Sequence, residues 1–150
     1  PAGRPDMILF RLVQWISEGR PVEVTGDGQQ SRGFTYVDDI ARGTILGLKL
    51  MGDGQKAGYE IMNLGGHEVV AINELVRMVE ERTGRQADVT YIPRHPADML
   101  TNWADIEKAQ RLLGWEPQVS LSEGINRLVE WYQAERSWAR LIVTTAASGA

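Results

Sequence analysis

The stretch Gly26-Asp-Gly-Gln-Gln-Ser-Arg-Gly-Phe-Thr-Tyr-Val-Asp-Asp-Ile40 holds a glycine turn, one arginine, an aromatic extended segment and an acidic helix start. Gly26-Asp27-Gly28 reads as a turn. Phe34, Tyr36 and Val37 suit a second extended piece. Asp38 or Asp39 then caps a helix running to about Met51. Before the turn, Pro21 to Thr25 reads as a short strand. Earlier still, Leu9, Leu12, Val13 and Ile16 recur at helical spacing and predict an amphipathic helix over residues 6–18. Asp6 stands at its start and Gly19 stops it.

After Asp39 the same alternation continues. Gly43 and Gly47 lie one helical turn apart, and each costs about 0.8–1 kcal/mol relative to alanine in a helix interior. Close packing against another element is the expected reason. A polar loop over residues 52–58 leads to a strand from Tyr59 to Leu64 that ends in Gly65-Gly66. A helix is expected from Asn73 to Thr83, stopped by Gly84, and a strand from Asp88 to Ile92. Pro93 to Asn102 reads as an irregular loop. Asp105 caps a short helix that ends at Gly114, with Pro117 beyond it. Ser120-Leu-Ser-Glu123 is a capping box that opens a long helix bearing Ile125, Leu128, Val129 and Tyr132 on one face. Residues 144–150 are small and polar and read as a frayed, flexible tail. About five helices alternating with short strands give a mixed α/β (α+β) class.

Composition narrows the function. The 150 residues are 43% hydrophobic and 24% charged, as in ordinary globular domains. A net charge of -4 argues against a nucleic-acid partner. No apolar run approaches the roughly 20 residues of a membrane helix, so no membrane partner is expected. Without cysteine there is no disulfide framework and no thiolate metal site, which fits a cytoplasmic setting. His67 and His95 are the only histidines and give little basis for zinc.

Arg32 stands out among the charged residues. It follows a tight turn and is flanked by the small Ser31 and Gly33, which leave room for a ligand. A guanidinium fork matches phosphate oxygens in geometry and charge, so phosphate binding stands beside the plainer reading of a surface arginine paired with an acid such as Asp27. Gly52-x-Gly54-x-x-Ala57 matches the letters of a dinucleotide fingerprint but follows a helix and precedes a strand, the wrong context for one. Asp38-Asp39 reads as helix capping, since adjacent side chains point in different directions. The five tryptophans, Trp15, Trp103, Trp115, Trp131 and Trp138, read as core or partner surface.

Several segments in order carry a resemblance. Gly3-Arg-Pro-Asp-Met7, Arg32-Gly-Phe-Thr-Tyr-Val-Asp-Asp39, Asn63-Leu-Gly-Gly66, Trp103-Ala-Asp105, Leu113-Gly-Trp-Glu-Pro117 and Ser122-Glu-Gly-Ile125 resemble the C-terminal, substrate-binding portion of extended short-chain dehydrogenase/reductases. The nearest members are NAD-dependent nucleotide-sugar epimerases and dehydratases, above all UDP-glucose and UDP-glucuronate 4-epimerases. The resemblance implies that Arg32 contacts the diphosphate and that Val22, Glu23, Val24 and Thr25 lie along the base, their backbone pairing with uracil. It implies further contacts from Arg4, Arg94, His95, Asp98 and Asn102. Relatives carry Arg-x-Pro-Gly-Asp where this chain has Arg94-His95-Pro96-Ala97-Asp98, and an acid where it has Gly33.

The same resemblance implies what is missing. The tyrosines Tyr36, Tyr59, Tyr91 and Tyr132 are followed four residues on by Ile40, Asn63, His95 and Arg136, so none forms the Tyr-x-x-x-Lys pair of the catalytic half. NAD would be held by an absent N-terminal Rossmann half, and the chain is expected to be an inactive fragment with no catalytic, cofactor or metal residue of its own. The alternatives are a dehydratase or decarboxylase fragment, or a non-catalytic nucleotide-sugar or protein-binding module. Residues about 38–66 would normally pack on the missing half. That predicts a homo-oligomer, with Ile40, Ile45, Leu48, Ile61 and Leu64 at the contact.

Overall fold

In the computed structural model, residues 7–52, 59–66, 68–94, 96 and 98–144 are described. Among them are α1 (Ile8–Glu18), β1 (Val22–Thr25), β2 (Ser31–Gly33), α2 (Val37–Gly52), β3 (Val69–Ala71) and α3 (Ile72–Thr83). There follow β4 (Val89–Ile92), β5 (Thr101–Asn102), α4 (Glu107–Leu113), α5 (Leu121–Ala134) and α6 (Arg136–Ala139). The mixed α/β class is as expected.

The chain divides into two compact units. One comprises Pro1–Ser31, Val70–Leu100 and Ser122–Ala150, and the other Arg32–Val69 and Thr101–Leu121.

In the first unit β1 and β4 pair in parallel, with Val22 opposite Val89 and Thr25 opposite Ile92. Alternation puts the buried Val22 and Val24 on one face. The apolar stripe of α1 is buried through Leu12, Val13, Trp15 and Ile16, and α1 packs against both α3 and β1. Leu75, Val76 and Val79 of α3 and Ile125, Val129 and Tyr132 of α5 are likewise buried. Left-handed glycines end α1 at Gly19 (φ 64°) and α3 at Gly84 (φ 66°), where a side chain would be strained. Asp6, the expected cap of α1, lies outside the described residues. Thr144, the first residue of the expected tail, is buried: Trp15 Nε1 donates to its hydroxyl at 2.8 Å and the hydroxyl donates to Gln14 Oε1. Gln14 Nε2 also donates to the Ile142 carbonyl at 2.8 Å.

In the second unit α2 packs on α4. The extended piece expected over Phe34–Val37 is shorter and earlier: strand pairing covers Ser31–Gly33, and Val37 already belongs to the helix. The Asp39 carboxylate does not cap α2. It accepts the backbone N–H of Gln118 at 3.1 Å and of Val119 at 3.0 Å, together with Arg42 Nη2 at 2.7 Å. Trp115 Nε1 donates to the Asp39 carbonyl at 2.8 Å. Gly43 meets its expectation, since a Cβ there would stand 2.6 Å from Leu64 and 2.9 Å from the Trp115 indole nitrogen. Gly47 does not, for a Cβ there would face open space.

No ladder forms over residues 59–64, so the expected strand is absent there; a strand exists only where a neighbour accepts its backbone groups. The loop expected after α2 lies mostly outside the described residues, as does Gly54 of the fingerprint-like letters. β2 and β5 are neighbours in a small sheet, so Thr101–Asn102 is a strand where a loop was expected.

Candidate functional site

Arg32 and Asn102, seventy positions apart in sequence, line the same cavity of the second unit. Its volume is about 350 Å³, within the range of small-molecule sites. Gly33, Thr35, Asn63, Gly65, Gly66 and Trp103 are also on its wall. β2 and β5 place the two predicted residues, because pairing of these short strands sets Arg32 beside the chain that carries Asn102.

Glycines let the walls close up. A Cβ on Gly66 would overlap the Phe34 carbonyl, and one on Gly65 would overlap the Ala104 methyl. A Cβ on Gly33 would stand 3.3 Å from the Gly66 carbonyl and 3.5 Å from Trp103 Cα. The acid found in relatives at this position would therefore need its neighbours to shift here. Asn63 Nδ2 donates to the Asp105 carbonyl at 3.2 Å, tying the glycine pair to the start of α4. The cavity thus combines one guanidinium, two carboxamides and a hydroxyl with a wall of backbone and the indole of Trp103, which is 64% exposed. Such a donor-rich, cationic lining suits an anionic, oxygen-rich ligand.

The other predicted residues belong to the first unit. The Val22 N–H is taken up by the sheet: it donates to the Asp88 carbonyl at 2.8 Å, and the Gly26 N–H donates to the Ile92 carbonyl at 2.8 Å. By strand alternation the backbone groups of Glu23 and Thr25 point away from β4. The Thr25 carbonyl is taken by Gln30 Nε2 at 2.5 Å. Val22 and Val24 are thus committed to the sheet and to the core. Arg94 donates to the Asp98 carbonyl and its side chain lies against the left-handed Gly26 (φ 69°). Arg4 and His95 lie outside the described residues.

Sequence reasoning placed Asn63, Gly65 and Gly66 in the pattern but not in the site, and gave Trp103 a packing role. The available signal was the adjacent glycine pair, which marks a close backbone approach. Electrostatically, burial pushes the Asp39 carboxyl up, but the bonds from Arg42, Val119 and Gln118 outweigh it and hold it below the ordinary range. In the first unit, the hydrogen bond from Arg136 lowers Glu18. Burial, and the bond it makes to Glu18, raise Tyr132. Among the described residues no cluster of histidine and carboxylate side chains could hold a metal ion.

The family profile described as GDP-mannose 4,6 dehydratase matches residues 5–128, and the chain belongs to that family. It is 49% identical over 132 residues to a UDP-glucuronate 4-epimerase of Thermodesulfobacterium geofontis, covering 87% of this chain and 39% of the relative. It is 34% identical over 147 residues to a probable UDP-glucuronate 4-epimerase of Rhizobium meliloti, covering 88% and 43%.

Among solved structures, a UDP-glucuronic acid 4-epimerase from Bacillus cereus in complex with UDP-glucuronic acid and NAD aligns at TM-score 0.77 and 34% identity, covering 87% of this chain and 41% of that one. The epimerase Mth375 of Methanothermobacter thermautotrophicus aligns at TM-score 0.81 and 32% identity, covering 93% and 40%. The chain thus spans about two fifths of the length of the relatives it matches. No described helix is long and apolar enough to cross a membrane.

Proposed function

We propose that this chain is the UDP-sugar-binding part of an NAD-dependent nucleotide-sugar 4-epimerase, with Arg32 on the diphosphate. The observation that carries the reading is the convergence of Arg32 and Asn102 on one cavity walled by glycine backbone. A guanidinium offers two parallel N–H donors to phosphate oxygens, and a carboxamide can both donate to and accept from a hydroxyl. Glu23 and Thr25 are proposed as contacts to the base, and Arg94 and Asp98 as further phosphate and ribose contacts.

The hydride chemistry lies with other residues. A bound NAD accepts and returns a hydride, and the described residues do not fit that cofactor: no strand leads through a glycine turn to a helix N-terminus. The fingerprint-like glycine letters begin at the end of α2 instead. The chain's own contribution is to hold and orient the nucleotide handle. By itself it is proposed to turn over no UDP-sugar. The family profile's description supports a second reading, a nucleotide-sugar dehydratase, in which the same site would hold the same handle.

Calorimetric titration of UDP into the chain tests the binding role. Arg32→Ala should weaken UDP by about ten- to a hundredfold, the worth of a charge-assisted bond. Unchanged affinity would remove Arg32 from the site. Incubation with NAD and UDP-glucuronate, followed by product separation, tests the absence of turnover. We further propose self-association through the exposed Ile45, Leu48 and Ile61, to be measured by light scattering.

A further inference from the structure

We infer that Asn73 is a positioning residue for Arg32, an assignment that rests on the phosphate reading of Arg32 given above. The turn between β1 and β2 is fastened to the N-terminus of α3 by this side chain together with backbone bonds. Asn73 Nδ2 donates to the Asp27 carbonyl at 2.9 Å, and its backbone N–H donates to the Gly28 carbonyl at 3.1 Å. Tyr91 Oη donates to Asn73 Oδ1 at 3.1 Å, which fixes the carboxamide the right way round. A carboxylate could not replace it, because it has no N–H to give to Asp27. Gly28 is left-handed at φ 74°, and a Cβ there would overlap the Asn73 carboxamide. The turn and the asparagine are therefore fitted to each other.

The fastening runs up to the residue before the arginine. Ile72 N donates to the Gln30 carbonyl at 3.1 Å, and Ser31 N donates to the Leu100 carbonyl at 2.8 Å. Gln30, itself buried, ties back to Thr25 through both the carbonyl and the hydroxyl. Backbone positions 27, 28, 30 and 31 are thus each held immediately ahead of Arg32. A guanidinium fork must be held to about 0.5 Å to engage two phosphate oxygens together. Loosening the turn should therefore weaken the phosphate contact rather than the contact to the base.

The test is titration of the chain with UDP and with uridine, for wild type, Asn73→Ala, Arg32→Ala and the double variant. Asn73→Ala should weaken UDP by about tenfold, the upper worth of a neutral hydrogen bond, with a smaller loss for uridine. In the Arg32→Ala background it should cause no further loss of UDP affinity. Equal losses for UDP and uridine, or additive losses in the double variant, would overturn the positioning role. If Arg32→Ala weakens UDP but Asn73→Ala does not, only the role of Asn73 fails. If Arg32→Ala leaves UDP unchanged, the phosphate reading fails first. Should Asn73→Ala not fold, Tyr91→Phe removes only the orienting bond and decides the question: a UDP-selective loss supports the role and no change overturns it.

Discussion

Helices α1 and α2 are both amphipathic, yet they end in opposite situations. α1 buries Leu12, Val13, Trp15 and Ile16 against α3 and β1. α2 packs on α4 and buries Gly43 and Asp39, while Ile45, Leu48 and Met51 stay 53%, 59% and 66% exposed. Periodicity therefore announces a face but not what covers it. α1 is held by apolar area, whereas α2 is held by a polar clamp and one close glycine contact.

That contrast is broken or sharpened by five substitutions, measured by urea or thermal melts of the chain. Leu12→Ala should cost most, about 2–5 kcal/mol, because it opens a cavity in a packed core. A cost below 1 kcal/mol would mean that α1 is not the better-anchored helix.

Asp39→Asn comes next, at about 1–3 kcal/mol, since an amide nitrogen would face backbone N–H donors. Its pH dependence has a definite sign. The folded pKa of Asp39 lies below its ordinary value, so its contribution is present above the ordinary carboxyl range. It is lost as pH falls through the lower folded value. Wild type should lose more stability than Asp39→Asn on acidification below about pH 4. Parallel acid curves for the two proteins would refute the clamp.

Within α2 itself, Gly43→Ala should destabilise by about 1–3 kcal/mol through overpacking on Leu64 and Trp115. Gly47→Ala should stabilise by about 0.5–1 kcal/mol, because the added methyl meets open space. The two glycines share a spacing in sequence, so opposite signs would isolate the effect of packing. The smallest effect belongs to Leu48→Lys, within about 0.5 kcal/mol for an exposed position. If this substitution also lowers the mass seen by light scattering, the exposed face is a contact between copies. Were it instead to unfold the chain, α2 would be anchored through its apolar face after all.

Part of the candidate site could be read directly. Arg32 stood out through its small neighbours and the preceding turn, and the helices ended at Gly19, Gly84 and Gly114, each left-handed. Asn73 could not be read in the same way. An asparagine at the start of a helix looks like an ordinary cap, and nothing local says that its side chain faces Asp27, forty-six positions away. Asp39 misled for the same reason. Its place in the first turn of α2 suggests capping, but its partners, Gln118 and Val119, are some eighty residues distant.

What the sequence by itself determined was local: the period of α1 and α3, the glycine stops, the turn before Arg32 and the family to which these segments belong. Those follow from dihedral preference and spacing, which act within a few residues. Only the tertiary structure decided that residues 59–64 form no ladder, that Arg32 and Asn102 share a wall, that Gly43 is crowded while Gly47 is not, and that Thr144 is buried. Each depends on which distant backbone comes within hydrogen-bonding or van der Waals reach, and no periodicity along the chain encodes that.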